Sequence, residues 1–204
     1  MRPTLKFASL AVATLATLSP FTLVPLSLTA PATAQTAPDL KASADRLLQQ
    51  GIQQYQTSQY EAALQSWEQA LTLYRAIPDR KGEANVLNNL GEAYRSLSQY
   101  EKAIAYYEQA RPIFQQVKDR NSEADVLSNL GSAYNSLSQY AKAIAYYEQA
   151  RPIFQQVKDR NGEAAVLGNL GNAYNSLSQY AKAIAYYEQA RPIFQQVKDR
   201  KGEA

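Results

Sequence analysis

The stretch "SQYAKAIAYYEQARPIFQQVKDR" stands at residues 138–160 and again, unchanged, at 178–200; at 98–120 it recurs with Glu101 in place of the alanine. Leu90-Gly91, Leu130-Gly131 and Leu170-Gly171 are forty residues apart, as are Tyr94, Tyr134 and Tyr174, and Pro112, Pro152 and Pro192. A diverged first copy keeps the frame through Gly51, Tyr60, Ala63, Leu64, Ala70, Asp79 and Arg80. Self-similarity at this period marks a repeat architecture. The frame divides the chain into units 42–81, 82–121, 122–161 and 162–201, with a linker at 35–41 and the opening residues of a fifth copy at 202–204.

Within one copy, Leu87, Leu90, Tyr94 and Leu97 recur at helical spacing, and after "SLSQ" so do Ala103, Ile104, Tyr107, Ala110, Ile113, Phe114 and Val117. Each copy is therefore expected to form a helical hairpin. Asp79, Asp119 and Asp159 are positioned to cap the following first helices. Ser98 with Glu101, and Ser58 with Glu61, read as capping boxes for the second helices. One hairpin buries too little apolar surface to offset the ordering of forty residues. Stacked hairpins bury both flanks, and the chain is expected to be all-α, an α-solenoid of four hairpins in a right-handed superhelical array.

Ahead of the repeats, Arg2 and Lys6 precede the apolar run "FASLAVATLATL", and Ala32-Thr33-Ala34 offers a small-x-small cleavage site. This is the pattern of an export signal over residues 1–34, implying a periplasmic or secreted protein with no membrane span after cleavage. Without Arg2 and Lys6, 19 basic and 18 acidic side chains are left. So even a balance argues against nucleic acid as a partner. There are no cysteines, so the fold is held by packing alone.

The motifs "NLGEAY", "NLGSAY" and "NLGNAY", each followed by "QYEKAI" or "QYAKAI" and by "YYEQA", resemble tetratricopeptide repeats over residues 42–201. That family's usual period is 34 residues; the forty here is similar to the LGN and kinesin light chain variant, with a longer second helix and a displaced proline. The chain also resembles the amino-terminal part of cyanobacterial proteins that join such repeats to a CHAT protease-like domain.

Pro112 falls on the stripe of Glu101, Ala105 and Glu108, opposite the apolar positions, and its missing N–H leaves the Glu108 carbonyl unpaired. Water can satisfy that carbonyl. Two readings stand: a kink that sets the curvature of the array, or simple tolerance of proline on a wet face.

The copies differ from one another mainly at positions spaced three and four apart on one face of the first helix. These are Asn85, Asn88, Glu92 and Arg95; then Asp125, Ser128, Ser132 and Asn135; then Ala165, Gly168, Asn172 and Asn175. In the resembled family this face lines a concave groove where partner segments lie. Asn89, Asn129 and Asn169 stay fixed beside it, and an amide, both donor and acceptor, suits the backbone of a bound peptide. The plainer readings are drift on a solvated face and asparagines that bond the neighbouring helix. Fifteen tyrosines suggest a stacking platform, but Tyr94 and Tyr107 fall at core spacing, while Tyr106, Tyr146 and Tyr186 are left as exposed candidates.

With no histidine or cysteine there is no imidazole base, thiolate nucleophile or common soft metal site. Carboxylates such as Glu108 fall on expected open surface, and no catalytic residue, metal or cofactor is expected. The sequence therefore points to a non-enzymatic scaffold that binds a protein or peptide segment. The sensing part of a longer CHAT-type protease and an end-to-end self-associating element are the alternatives.

Overall fold

The computed structural model describes the backbone of residues 36–202 and the side chains of 36–197; the export-signal reading at 1–34 lies outside them, as do Glu203 and Ala204. The described residues form eight helices and no strand: α1 (Ala37–Gln56), α2 (Tyr60–Ala76), α3 (Arg80–Ser96), α4 (Tyr100–Gln116), α5 (Arg120–Ser136), α6 (Tyr140–Val157), α7 (Arg160–Ser176) and α8 (Tyr180–Gly202). Each helix packs on the next. In addition α1 touches α3, α3 touches α5 and α5 touches α7, whereas even-numbered helices have no such contact with one another. The odd-numbered helices thus crowd together as an inner wall and the even-numbered ones splay outside, which makes an α-solenoid with a trough along α1, α3, α5 and α7.

The starts of α3, α5 and α7 follow the expected chemistry. Asp79 accepts from the Gly82 N–H at 2.8 Å, Asp119 from Ser122 at 3.2 Å and Asp159 from Gly162 at 3.0 Å. The expected capping boxes do not form. Gln59, Gln99 and Gln139 occupy the N-cap positions of α2, α4 and α6 without side-chain bonds. Ser58, Ser98, Ser138 and Ser178 instead take left-handed backbone angles, φ between 57° and 59°. They reverse the chain: the Ser98 N–H donates to the Arg95 carbonyl and the Gln99 N–H to that of Tyr94. A serine that closes one helix is one residue too early to cap the next.

Two boundaries also differ from the reading of the sequence. Thr36 and Asp39 make a capping box ahead of α1, so residues 37–41, assigned to a linker, are helical. Gly202, read as the start of a fifth copy, is the last residue of α8.

The hairpins close around glycine and an aromatic ring. A Cβ on Gly91 would stand 2.4 Å from the Tyr107 ring, and the same holds for Gly51 against Trp67, Gly131 against Tyr147 and Gly171 against Tyr187. These glycines are packing requirements; only hydrogen leaves room for the ring. Pro112 and Pro152 lie exposed in helices that continue beyond them. In the first copy Thr72 stands at the proline position, and its hydroxyl donates to the Glu68 carbonyl at 3.0 Å.

One structural element is missed by the sequence reading. Glu83, Glu123 and Glu163 are buried rather than on open surface. Each pairs with the arginine three residues before it, Arg80, Arg120 or Arg160. Each also receives a donor from the preceding even-numbered helix: Arg75 Nε at 3.0 Å, Gln115 Nε2 at 2.9 Å and Gln155 Nε2 at 2.8 Å. Buried charge must be paired and bonded. These carboxylates therefore fix how one hairpin meets the next.

Candidate functional site: the inner trough

The trough is built by the face of the odd-numbered helices on which the copies differ. Asn85, Asn88, Asn89 and Asp125 line one depression of about 270 Å³, together with Leu48, Gln49 and Ile52 of α1, Phe114 of α4 and Ser122 of α5. Comparison of the last three copies does not reach the α1 residues. The frame does: forty residues separate Leu48, Gln49 and Ile52 from Asn88, Asn89 and Glu92. The first unit thus contributes apolar surface where the later ones contribute amides, hydroxyls and charge.

Asn129 donates from Nδ2 to Asn88 Oδ1 at 3.2 Å, so this rung of the asparagine ladder ties two neighbouring units together. Glu92 and Arg95 form an ion pair at 3.0 Å on α3. Position 92 and its equivalents also meet a tyrosine of the following helix, buried in the second and third units and exposed in the fourth. Tyr147 donates to Ser132 at 3.1 Å and Tyr187 to Asn172 at 2.7 Å, while in the second unit the Tyr107 hydroxyl lies by the Glu92–Arg95 pair. Burial above all, then the Glu92 charge, raises the pKa of Tyr107, which keeps its proton. Arg95 Nε, Asn135 Oδ1 and the Tyr107 hydroxyl are buried without a partner in the protein. Buried polar atoms usually have partners; Arg111 Nε on α4 and Arg151 Nε on α6 lack them as well.

Ser128, Ser132, Asn135 and Asn169 are half-buried along α5 and α7, whereas Asn172 and Asn175 are exposed beyond them. Of the site positions read from the sequence, the depression brings Asn85, Asn88, Asn89 and Asp125 together with α1, and the others lie outside its lining.

Electrostatically, Asp125 stands out. The surrounding protein holds water from its carboxylate, and Asp159, Asp119 and Glu92 add repulsion; together they push its pKa up to about 6, although the residue as a whole is exposed.

The tyrosines left as exposed candidates prove half-buried and engaged. Tyr106 stacks on Tyr94, Tyr146 on Tyr134 and Tyr186 on Tyr174, with ring centroids 5.3–5.4 Å apart. The ammonium groups of Lys102, Lys142 and Lys182 lie 5.2, 5.1 and 5.0 Å from the Tyr94, Tyr134 and Tyr174 centroids. Among the described residues no group of three or more acidic, histidine or cysteine side chains is placed to hold a metal, and no helix is long and apolar enough to cross a membrane.

A trough of stacked helical hairpins, with packing residues repeated from copy to copy beneath and changing polar residues above, defines an α-solenoid of the interaction-scaffold class. The profile of the tetratricopeptide repeat matches residues 43–116 and 122–196, and the chain belongs to the tetratricopeptide repeat family. It is similar in fold to BtubC from P. vanneervenii, with 23% identity and a TM-score of 0.73 over 81% of this chain and 67% of that one. Aspartyl phosphate phosphatase F from Bacillus subtilis matches with 21% identity and a TM-score of 0.75, over 79% of this chain and 42% of that one. A Rap protein complexed with competence and sporulation factor matches with 19% identity and a TM-score of 0.71, over 78% and 45%. The chain thus spans about two thirds of the first of these structures and less than half of the other two. No curated protein sequence matches it.

Proposed function

We propose that the chain is an exported, non-enzymatic scaffold that binds a protein or peptide segment along the inner trough. The carrying observation is the depression of about 270 Å³ in which apolar Leu48 and Ile52 of α1 stand together with the amides of Asn85, Asn88 and Asn89 of α3. An extended or helical segment supplies both what the apolar end of this surface and what its amides lack. That a Rap protein of the same fold is known in complex with competence and sporulation factor supports the reading.

Photo-crosslinking from single sites tests it. A benzoylphenylalanine at Asn88 is expected to trap a partner from the exported fraction, and one at the outer, exposed Glu108 is not. Equal yields from both positions, or none from Asn88, would overturn the trough.

A second reading, self-association, is favoured by the exposed Tyr180, Ile184, Tyr187 and Phe194 on α8. Head-to-tail stacking is opposed by α1, which carries exposed Arg46, Gln50 and Gln53 at the positions where α5 has buried Val126, Leu130 and Ala133. Pairing would therefore be tail to tail. Ultracentrifugation should then show a concentration-dependent dimer that Ile184→Glu abolishes; a strict monomer eliminates this reading.

A further inference from the structure

The chain carries one helix face twice, once covered and once bare. Residues 138–160 and 178–200 are identical. On α6 this face is covered by α7: Ile144, Tyr147, Ala150, Ile153 and Phe154 share one buried cluster with Val166, Leu170 and Ala173. The Phe154 ring leaves room only for hydrogen at Gly162, where a Cβ would stand 2.4 Å away. Beside it, Gln155 Nε2 donates at 2.8 Å to the buried Glu163, which also pairs with Arg160 of its own helix. One unit earlier α4 and α5 meet in the same way. Ile104, Tyr107, Ile113 and Phe114 cluster with Val126, Leu130 and Ala133, and Gln115 donates to Glu123 at 2.9 Å.

On α8 no described helix takes the place of α7. Ile184, Tyr187 and Phe194 are exposed, and so is Gln195, the counterpart of Gln115 and Gln155. Tyr187, Ala190, Arg191, Phe194 and Gln195 border a depression of about 360 Å³ with Gly168 at its edge. A contiguous apolar patch of this kind marks an interaction surface. Because its side chains are those of α6, its requirements are those that α7 meets: an apolar stripe, a residue without bulk opposite the phenylalanine, and a carboxylate for the glutamine.

We infer that the open face of α8 is the docking site for a helix of a partner protein, one that carries arginine, glycine or serine, glutamate, valine, leucine and alanine at the spacing of Arg160, Gly162, Glu163, Val166, Leu170 and Ala173. The apolar stripe supplies the binding energy. The glutamate sets the register, because a carboxylate buried away from its donors is costly and only one alignment brings it to Gln195. A second copy offers no such helix. Its α3, α5 and α7 are enclosed within their own array, and its α1 has Ser43 at the glutamate position and Arg46, Gln50 and Gln53 along the stripe. The trough plays no part in this docking, whereas tail-to-tail pairing of two copies competes for the same face.

The test uses the full chain and a fluorescein-labelled peptide with the sequence of residues 159–177, which span α7. A control peptide carries Val166→Arg, Leu170→Gln and Ala173→Gln, which give it the residues of α1 along the stripe. Fluorescence anisotropy should show saturable binding of the α7 peptide, at least tenfold tighter than that of the control. In the chain, Ile184→Glu changes an exposed side chain and should weaken binding tenfold or more. Gln195→Ala should abolish the preference for the α7 peptide over its Glu163→Ala variant. Equal binding of the α7 and control peptides, binding that survives Ile184→Glu, or no saturable binding at all would each overturn the inference. A dimer of the chain in ultracentrifugation that excess α7 peptide fails to dissociate would overturn it as well.

Discussion

Residues 138–160 and 178–200 are the same twenty-three residues in two environments. On α6, Ile144 is 8%, Tyr147 2% and Phe154 2% exposed; on α8, Ile184 is 55%, Tyr187 38% and Phe194 47% exposed. The difference is α7, which packs on α6, while no described helix covers the matching face of α8. The end of the helix changes too. Lys158 turns left-handed at φ 61° and closes α6, whereas the identical residues of α8 continue helical to Gly202. In this array a side chain is buried, and a turn is made, by the following unit as much as by its own sequence.

The comparison breaks most directly at the phenylalanines. Phe154→Ala should destabilise the chain by about 3–5 kcal/mol in chemical denaturation, through lost burial and the cavity left behind. Phe194→Ala, at the uncovered position, should cost only about 0.5 kcal/mol. Similar losses at both sites would show that another surface covers α8 in solution.

The glycines sharpen the same contrast within the trough. Gly131→Ala drives a methyl into the Tyr147 ring, 2.5 Å away, and is expected to cost about 1–3 kcal/mol. Gly168→Ala meets nothing within 4 Å and should stabilise α7 by about 1 kcal/mol through helix propensity alone. Opposite shifts in melting temperature are the expected result.

The period and the glycines made the hairpins legible, because a forty-residue frame with Leu, Gly and Tyr at fixed offsets admits few other structures. The Asp79, Asp119 and Asp159 caps were equally legible, since a cap depends only on residues within one turn. The Ser58 and Ser98 boxes failed although Glu61 and Glu101 sit at the right spacing. The tight reversal needs a left-handed residue there, and that demand comes from the packing angle of the hairpin. Glu83 and its equivalents were unreadable for a similar reason: the donors that permit their burial, Arg75, Gln115 and Gln155, lie on the preceding hairpin. Of the trough, the changing face of α3 and α5 could be read from differences between copies. Leu48 and Ile52 could not, because the first unit diverges too far for its apolar positions to register as changes.

The turn serines are the next test. Ser138 holds φ 57°, where a Cβ is strained and glycine is not. Ser138→Gly should therefore raise stability by about 0.5–1 kcal/mol, despite the greater freedom of glycine in the unfolded chain. A loss instead would mean that the hydroxyl matters more than the backbone angle.

The smallest effect expected is also the most diagnostic for charge in the trough. Asp125 has a folded-state pKa pushed up to about 6, so the folded chain binds a proton more readily there than the unfolded chain does. Stability therefore falls as pH rises from the ordinary carboxylate range through about 6, and the penalty is complete at neutral pH. Asp125→Asn removes it. The variant should gain a few tenths of a kcal/mol at pH 7, since Asp125 is partly open to solvent and bears only part of the desolvation and repulsion that a fully buried carboxylate would. That gain should vanish in acid, where the wild-type carboxyl is protonated in both states. A gain independent of pH would mean that crowding of the side chain, rather than its charge, sets the difference between the third unit and the first, where Lys41 neutralises Asp45.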